Sequence, residues 1–254
     1  MNDANLLTAE AQRLRDRKSL SEGFERADRL RFLPVAGPLR LCVSAVTFVF
    51  LCFASAAYAA EEKGKVLYQN DFSKGEVGKL PEEMLLLDGG FAVQEFNGNK
   101  VLQLPGAPLD TFGVLFGPTE SANMAVSARV HSSKKGRREP AFALGLNGNA
   151  GYKLQVSAAK KLVELYKGDD VIAKEPFTLE SDSWTMLKLQ VRKVKDGEFA
   201  VEGKVWKQGM SEPEKWTVTF TETSEPTAGR ASLWGNPFAG TPIDFDDLVV
   251  SAVK

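Results

Sequence analysis

Four times between residues 91 and 201 an alternating apolar run meets a short turn and then a second alternating run, and nothing else in the chain constrains its fold as much. Phe91-Ala92-Val93 leads through Asn97-Gly98 into Val101-Leu102-Gln103-Leu104. Phe142 to Leu146 turns at Asn147-Gly148-Asn149 into Tyr152 to Val156. Leu162 to Tyr166 turns at Gly168-Asp169 into Val171-Ile172, and Leu187 to Val191 turns at Asp196-Gly197 into Phe199-Ala200-Val201. Asn-Gly and Asp-Gly pairs supply the positive φ that tight hairpins need, and a period of two turns one face of each strand to a core. Helical periodicity is hard to find here. The chain reads as all-β, an antiparallel two-sheet sandwich. Val66 to Phe72 and Phe245 to Val250 read as the first and last strands, and their pairing would close a jelly roll. Residues 65–254 read as a single domain without repeats.

Ahead of this domain, residues 41–60 form an uncharged apolar run that ends in Ala57-Tyr58-Ala59. Arg26, Arg29, Arg31 and Arg40 precede it, and Glu61, Glu62 and Lys63 follow. A basic flank, an apolar core and a small-residue exit are the marks of a secretory signal peptide, which predicts a cut after Ala59 or Ala60 and a periplasmic or extracellular protein. The run is also about as long as a bilayer span, so the alternative is a retained anchor with the C-terminal domain outside. Residues 1–40 read as a cytoplasmic extension or as a leader from a start codon set too far upstream. Both cysteines, Cys42 and Cys52, lie in the apolar run, so the domain has no disulfide and must hold by packing. Beyond residue 60 the chain has 24 basic and 27 acidic residues, a balance that argues against nucleic acid as partner.

Several short motifs carry a family resemblance. Asn70-Asp71-Phe72, the strand opened by Trp184, Gly229-Arg230-Ala231-Ser232-Leu233-Trp234 and the closing Phe245-Asp246-Asp247-Leu248 resemble a concanavalin A-like lectin/glucanase sandwich. More narrowly, the pattern is similar to laminin G-like and 3-keto-disaccharide hydrolase-type domains of bacterial secreted proteins. The resemblance implies a curved sheet whose concave face binds sugar. Glucanases of this fold carry E-x-D-x-E or a bulged variant of it, with two carboxyls about 5 Å apart for retaining chemistry. The nearest match here is Glu180-Ser181-Asp182-Ser183-Trp184-Thr185, which lacks the second Glu and reads as a loop entering a strand.

Exposed aromatics are the better lead, because sugar rings stack on indoles. Trp206 shares strand parity with Glu202 and Lys204 and points away from the core; Trp216 shares parity with Val218 and Phe220 and points inward. Trp234 precedes Gly235-Asn236-Pro237, where a cleft rim would lie, and Trp184 covers the core edge. Arg129 and the lone histidine, His131, oppose Val126, Ala128 and Val130, while Asn147 closes the strand from Phe142. Arg129, His131, Asn147, Glu202, Trp206 and Trp234 are therefore the predicted glycan contacts, provided that their strands share a sheet. With one histidine and no cysteine in the domain, a transition-metal site is disfavoured. The resemblance also implies a structural Ca2+ where the first and last strands meet, with Asp71, Asp246 and Asp247 as candidate ligands. Adjacent aspartates on a regular strand face opposite ways, so only one of Asp246 and Asp247 could serve, and the competing reading is a turn cap beside a solvated charge. Three functions stay open: a noncatalytic carbohydrate-binding domain for a glycan or polysaccharide, a glycoside hydrolase of the 3-keto-disaccharide type, and a structural or adhesive envelope protein.

Overall fold

The structure is a computed structural model that describes residues 64–107 and 110–254. The apolar run, its Ala57-Tyr58-Ala59 exit, Cys42 and Cys52 lie outside the described residues. The strands in chain order are β1 (Val66–Asn70), β2 (Leu85–Asp88), β3 (Ala92–Phe96), β4 (Asn99–Leu104), β5 (Phe112–Glu120), β6 (Met124–Ser132), β7 (Ala141–Leu146) and β8 (Tyr152–Ser157). They continue as β9 (Leu162–Lys167), β10 (Asp170–Pro176), β11 (Ser183–Lys195), β12 (Glu198–Lys207), β13 (Val218–Glu222), β14 (Gly229–Asn236) and β15 (Ile243–Ala252). Among the described residues the one helical element is a 3-10 turn at Ala158–Lys160.

All four predicted hairpins form: β3–β4, β7–β8, β9–β10 and β11–β12. At the first, Asn97 and Gly98 have φ of 50° and 80°, the left-handed pair that a two-residue hairpin turn demands. The strands make two antiparallel sheets. The first runs β13-β12-β11-β6-β15-β4-β3, with β1 also paired to β15; the second runs β10-β9-β8-β7-β14-β5-β2. The first and last strands do pair, Asn70 opposite Leu248 and Gln69 opposite Val249.

Alternation decides what each sheet buries. Val126, Ala128 and Val130 of β6, Leu187, Leu189 and Val191 of β11, and Phe245 of β15 face Phe142, Leu144 and Leu146 of β7, Leu154 and Val156 of β8 and Leu233 of β14 in one cluster. Fully burying such side chains contributes about 1.5–3 kcal/mol each. The residues between them are thereby pushed to the outer faces, where the candidate sites lie.

β15 breaks this alternation once. Its register with β6 shifts between Asp246 and Val249, and Asp247 takes a left-handed φ of 52°. The extra residue is a β-bulge, a device that re-aims side chains. Phe245, Leu248 and Val250 all stay in the core as a result.

Candidate functional site

The outer face of the first sheet carries the densest polar and aromatic chemistry of the domain. Strand pairing dictates the grouping: His131 stands opposite Trp184 on one side and Asp244 on the other, and Arg129 stands between Met186 and Asp246. Arg129 Nη2 donates to Asp246 Oδ2 at 2.5 Å, and its Nε lies 2.9 Å from Asp247 Oδ2 as an ion pair without hydrogen-bond geometry. The bulge makes this double contact possible. Asp246 is wholly buried and also accepts from Asn99 Nδ2 at 2.9 Å and from the Asp247 amide at 2.8 Å. Desolvation pushes the Asp246 carboxyl above its ordinary pKa, and Arg129 and the Asp247 amide oppose that shift.

Two residues along β6, His131 is held from both ring nitrogens. Nδ1 lies 3.0 Å from Asp244 Oδ2 and Nε2 lies 3.2 Å from Asp182 Oδ1, while Gln103 Nε2 donates to the other Asp244 oxygen at 2.7 Å. The bond to Asp244 raises the histidine pKa most; burial works against it, and the charges of Asp244 and Asp182 add to the rise. Aromatic rings close over the imidazole: Phe96 at 4.7 Å and Trp184 at 5.5 Å between centroids, with the Arg129 guanidinium 4.5 Å from the Trp184 ring. A buried imidazole held by two carboxylates and covered by rings has no free edge for an incoming substrate. It acts here as a clamp that ties β6, β15 and the turn before β11 together.

Further along the same face lies a groove of about 780 Å3. Gln69 of β1, Ser127 of β6, Lys188 and Gln190 of β11, Glu202 of β12 and Trp216 line it. The segment after β12 folds back to form one wall. Lys204 Nζ lies 4.3 Å from the centre of the Trp216 ring, and Glu212 accepts from Lys188 at 2.9 Å and from Lys204 at 3.0 Å. Burial of Glu212 opposes its ionisation, the two lysines outweigh it, and its pKa falls below the usual value. Gln190 Nε2 donates to Glu202 Oε2 at 2.6 Å, and Arg192 Nε stands 3.5 Å from the same oxygen. Lys188 and Lys204 thus share one carboxylate, and Arg192 faces a second.

The structure brings Arg129, His131, Glu202 and Trp206 onto one face, with Trp206 half-buried in a row that runs Arg129, Met186, Trp206 across three strands. It places Asn147 and Trp234 on the second sheet. Asn147 has a φ of 65°, and its amide donates to the carbonyls of Glu120, Ser121 and Thr227, so it fastens a turn. Trp234 is buried to 8% exposure, with Nε1 donating to Ser232 Oγ at 2.8 Å. Trp216 does not point inward: β13 begins only at Val218, so the alternation read back from Val218 and Phe220 does not reach it. Trp184 lies on the outer face rather than at the core edge.

The aspartates assigned to calcium do not suit that ion. Asp71 turns one oxygen, Oδ1, to the Ser73 amide and hydroxyl, at 3.1 and 2.7 Å, as a turn cap does, and the Arg129 guanidinium takes the place between Asp246 and Asp247 where a cation would sit. Among the described residues no group of three or more His, Asp or Glu could hold a metal ion. Alternation alone did not identify Asp182, Asp244, Lys188 or Glu212, because their partners are distant in the sequence.

No family model and no curated protein matches the chain. Solved structures do. A protein of unknown function with a galectin-like fold from Bacillus subtilis aligns at a TM-score of 0.53 and 14% identity, over 76% of this chain and 99% of that one. The carbohydrate recognition domain of Emp47p aligns at 0.50 and 9% identity, over 76% and 98%. The GH43 protein BlXynB from Bacillus licheniformis, as a point variant, aligns at 0.51 and 12% identity, over 72% of this chain but 39% of that one. At these identities the likeness shows the fold alone: a lectin-like β-sandwich of the galectin and concanavalin A kind.

Proposed function

We propose that the domain is a noncatalytic carbohydrate-binding module that takes a neutral glycan in the groove on the outer face of the first sheet. The observation that carries this reading is the lining of that groove. Trp216 offers an indole wall, Gln69, Gln190 and Ser127 offer planar and hydroxyl partners for sugar hydroxyls, and the nearby cations are held in ion pairs, Lys188 and Lys204 sharing Glu212 and Arg192 facing Glu202. Clefts of this size, with a few convergent polar groups, are the usual form of a small-ligand site. A face whose cations are already held in ion pairs has less to offer an ionic ligand than one with a free cation. It suits hydroxyls. The likeness to a domain named for carbohydrate recognition supports the same class of ligand.

A neutral-glycan array followed by calorimetry tests the reading. Trp216→Ala is expected to weaken binding of any hit at least tenfold, about what one lost stacking contact supports. Retention of full affinity by Trp216→Ala, with loss in Trp206→Ala instead, would move the site to the His131 end of the face; an empty array would remove the function.

We also propose that the protein works outside the cytoplasm, cut after Ala59 or Ala60. Edman sequencing of protein from the producing cell is expected to begin at Ala60 or Glu61, and an intact N-terminus in the membrane fraction would instead support the retained anchor.

A further inference from the structure

The outer face of the second sheet has a cleft of its own, about 400 Å3 in volume. Ala141 of β7 lines it, and the outward positions beyond are also small, Ala143 and Gly145 of β7 and Gly113 of β5, which leaves a trough beside the cleft. Trp234 fills part of that trough. A Cβ on Gly113 would stand 2.6 Å from its ring, so that glycine is required for the indole to lie flat, and one on Gly145 would collide with Ser232 Oγ, the acceptor of the indole N–H.

Lys153 of β8 reaches over this ring. Its Nζ is 5.1 Å from the centre of Trp234 and 6.0 Å from that of Tyr166, and the residue is half-buried. The other charges nearby are spoken for, with one exception. Glu139 pairs with Lys134, and Lys160 pairs with Glu164, which also accepts from Ser157 and Tyr166. Among the described residues Lys153 has no carboxylate within ion-pair distance, and Asp169 stands exposed at the rim. Ring faces attract an ammonium but leave its charge unneutralised, and a partly desolvated cation gains more from an anion than a solvated carboxylate gains from a cation. Neutral hydrogen-bonding groups complete the lining. Gln155 lies on the floor, and Asn236 donates from Nδ2 to Asp110 O and Thr111 Oγ1, leaving Oδ1 for a ligand hydroxyl.

We infer that this cleft is a second saccharide site, selective for an acidic sugar of the uronate class, with Lys153 pairing the carboxylate, and Asn236 and Asp169 accepting from ring hydroxyls. The two outer faces of the sandwich then differ in kind. The first holds its cations in ion pairs, with Lys188 and Lys204 sharing Glu212, and the second has a cation without a carboxylate partner.

Calorimetry of the full chain with tetragalacturonate and with its neutral methyl ester tests the inference. The acid is expected to bind, its affinity to fall with added salt, and the ester to bind at least tenfold more weakly, the difference expected for one charge-assisted contact. Lys153→Met, which keeps the aliphatic cover over Trp234, should lose at least tenfold for the acid, while Lys153→Arg keeps most of it. Trp216→Ala should leave the acid's affinity unchanged, which separates this site from the first-sheet groove. Absence of heat with the acid, equal affinity for acid and ester, or an unaffected Lys153→Met would overturn the proposal. Should Lys153→Met fail to fold in a thermal melt, the comparison of acid with ester on the unsubstituted chain decides alone.

Discussion

Replacing Arg129 by Met tests whether the first sheet's outer face is held by its buried charge. In the folded domain Asp246 is fully buried, with Arg129 Nη2 at 2.5 Å as its charge partner. Removing one member of a buried pair typically costs about 3–5 kcal/mol, because the other charge stays desolvated. Two hydrogen bonds to Asp246 survive, from Asn99 at 2.9 Å and the Asp247 amide at 2.8 Å, which argues for the lower end, about 3 kcal/mol. Loss of the guanidinium over Trp184 adds about 1 kcal/mol, part of which the Met side chain recovers by packing. In a domain of this size each kcal/mol moves the melting temperature by about 2–4 °C, so Arg129→Met should melt about 10 °C lower. Adding Asp246→Asn removes the stranded charge and should return about 1–2 kcal/mol, a coupling that a double-mutant cycle reads directly. Acidity gives a second reading. The Asp246 pKa is already raised, so its proton favours the folded state, and in Arg129→Met the deficit should shrink as pH falls from neutral toward the ordinary carboxylate range. A loss below about 1 kcal/mol, or a deficit unchanged between roughly pH 8 and pH 5, would refute the idea that Asp246 depends on Arg129 for its charge.

Two further predictions concern protons. The His131 pKa lies above its usual value, so the imidazolium contributes stability that is complete below the unfolded pKa, near 6.5, and fades as pH rises through the folded one. Denaturant midpoints should therefore fall as pH rises above about 6.5, and Asp244→Asn should flatten that slope; an equally steep slope in the variant would show that another group titrates. Glu222 behaves in the opposite sense. Burial raises its pKa, but Lys167 at 2.5 Å, the Ser224 amide and the Tyr152 hydroxyl outweigh that effect and hold it at about 2. Its contribution is present above the unfolded value and is lost as pH falls toward about 2, so Glu222→Gln should cost about 3 kcal/mol at neutral pH and almost nothing near the folded pKa. A deficit that persists in strong acid would contradict this assignment.

Much of the fold was legible because its signals are local. Hairpin turns are written in neighbouring residues such as Asn97-Gly98, and period-two alternation assigns Val126, Ala128 and Val130 to the core without knowledge of any partner strand. The site was less legible because its contacts span long separations. His131 meets a residue 51 positions later in Asp182 and another 113 positions later in Asp244. Where the period breaks, the reading breaks with it. Trp216 precedes β13, so parity with Val218 carried no information about it. The bulge at Asp247 overturned the rule that adjacent aspartates face apart, and it was invisible because aspartate adopts a left-handed φ without a glycine to announce it.

The two groups of buried contacts on the first sheet bear on binding as well as on stability. Arg129 joins β6 to the bulge of β15, and His131 joins β6, β15 and the turn that opens β11. At the other side of the face Glu212 anchors the segment bearing Trp216 to Lys188 and Lys204. The groove between them is therefore lined by strands whose spacing is fixed by pairing and by a wall whose position is fixed by charge. A ligand entering it has little side-chain motion left to freeze, and lower ordering cost is what preorganisation contributes to affinity. It follows that Arg129→Met should weaken glycan binding indirectly, through misalignment of β6 and β15. That loss should be smaller than the direct loss in Trp216→Ala, and adding Asp246→Asn should recover part of it, as it recovers part of the stability.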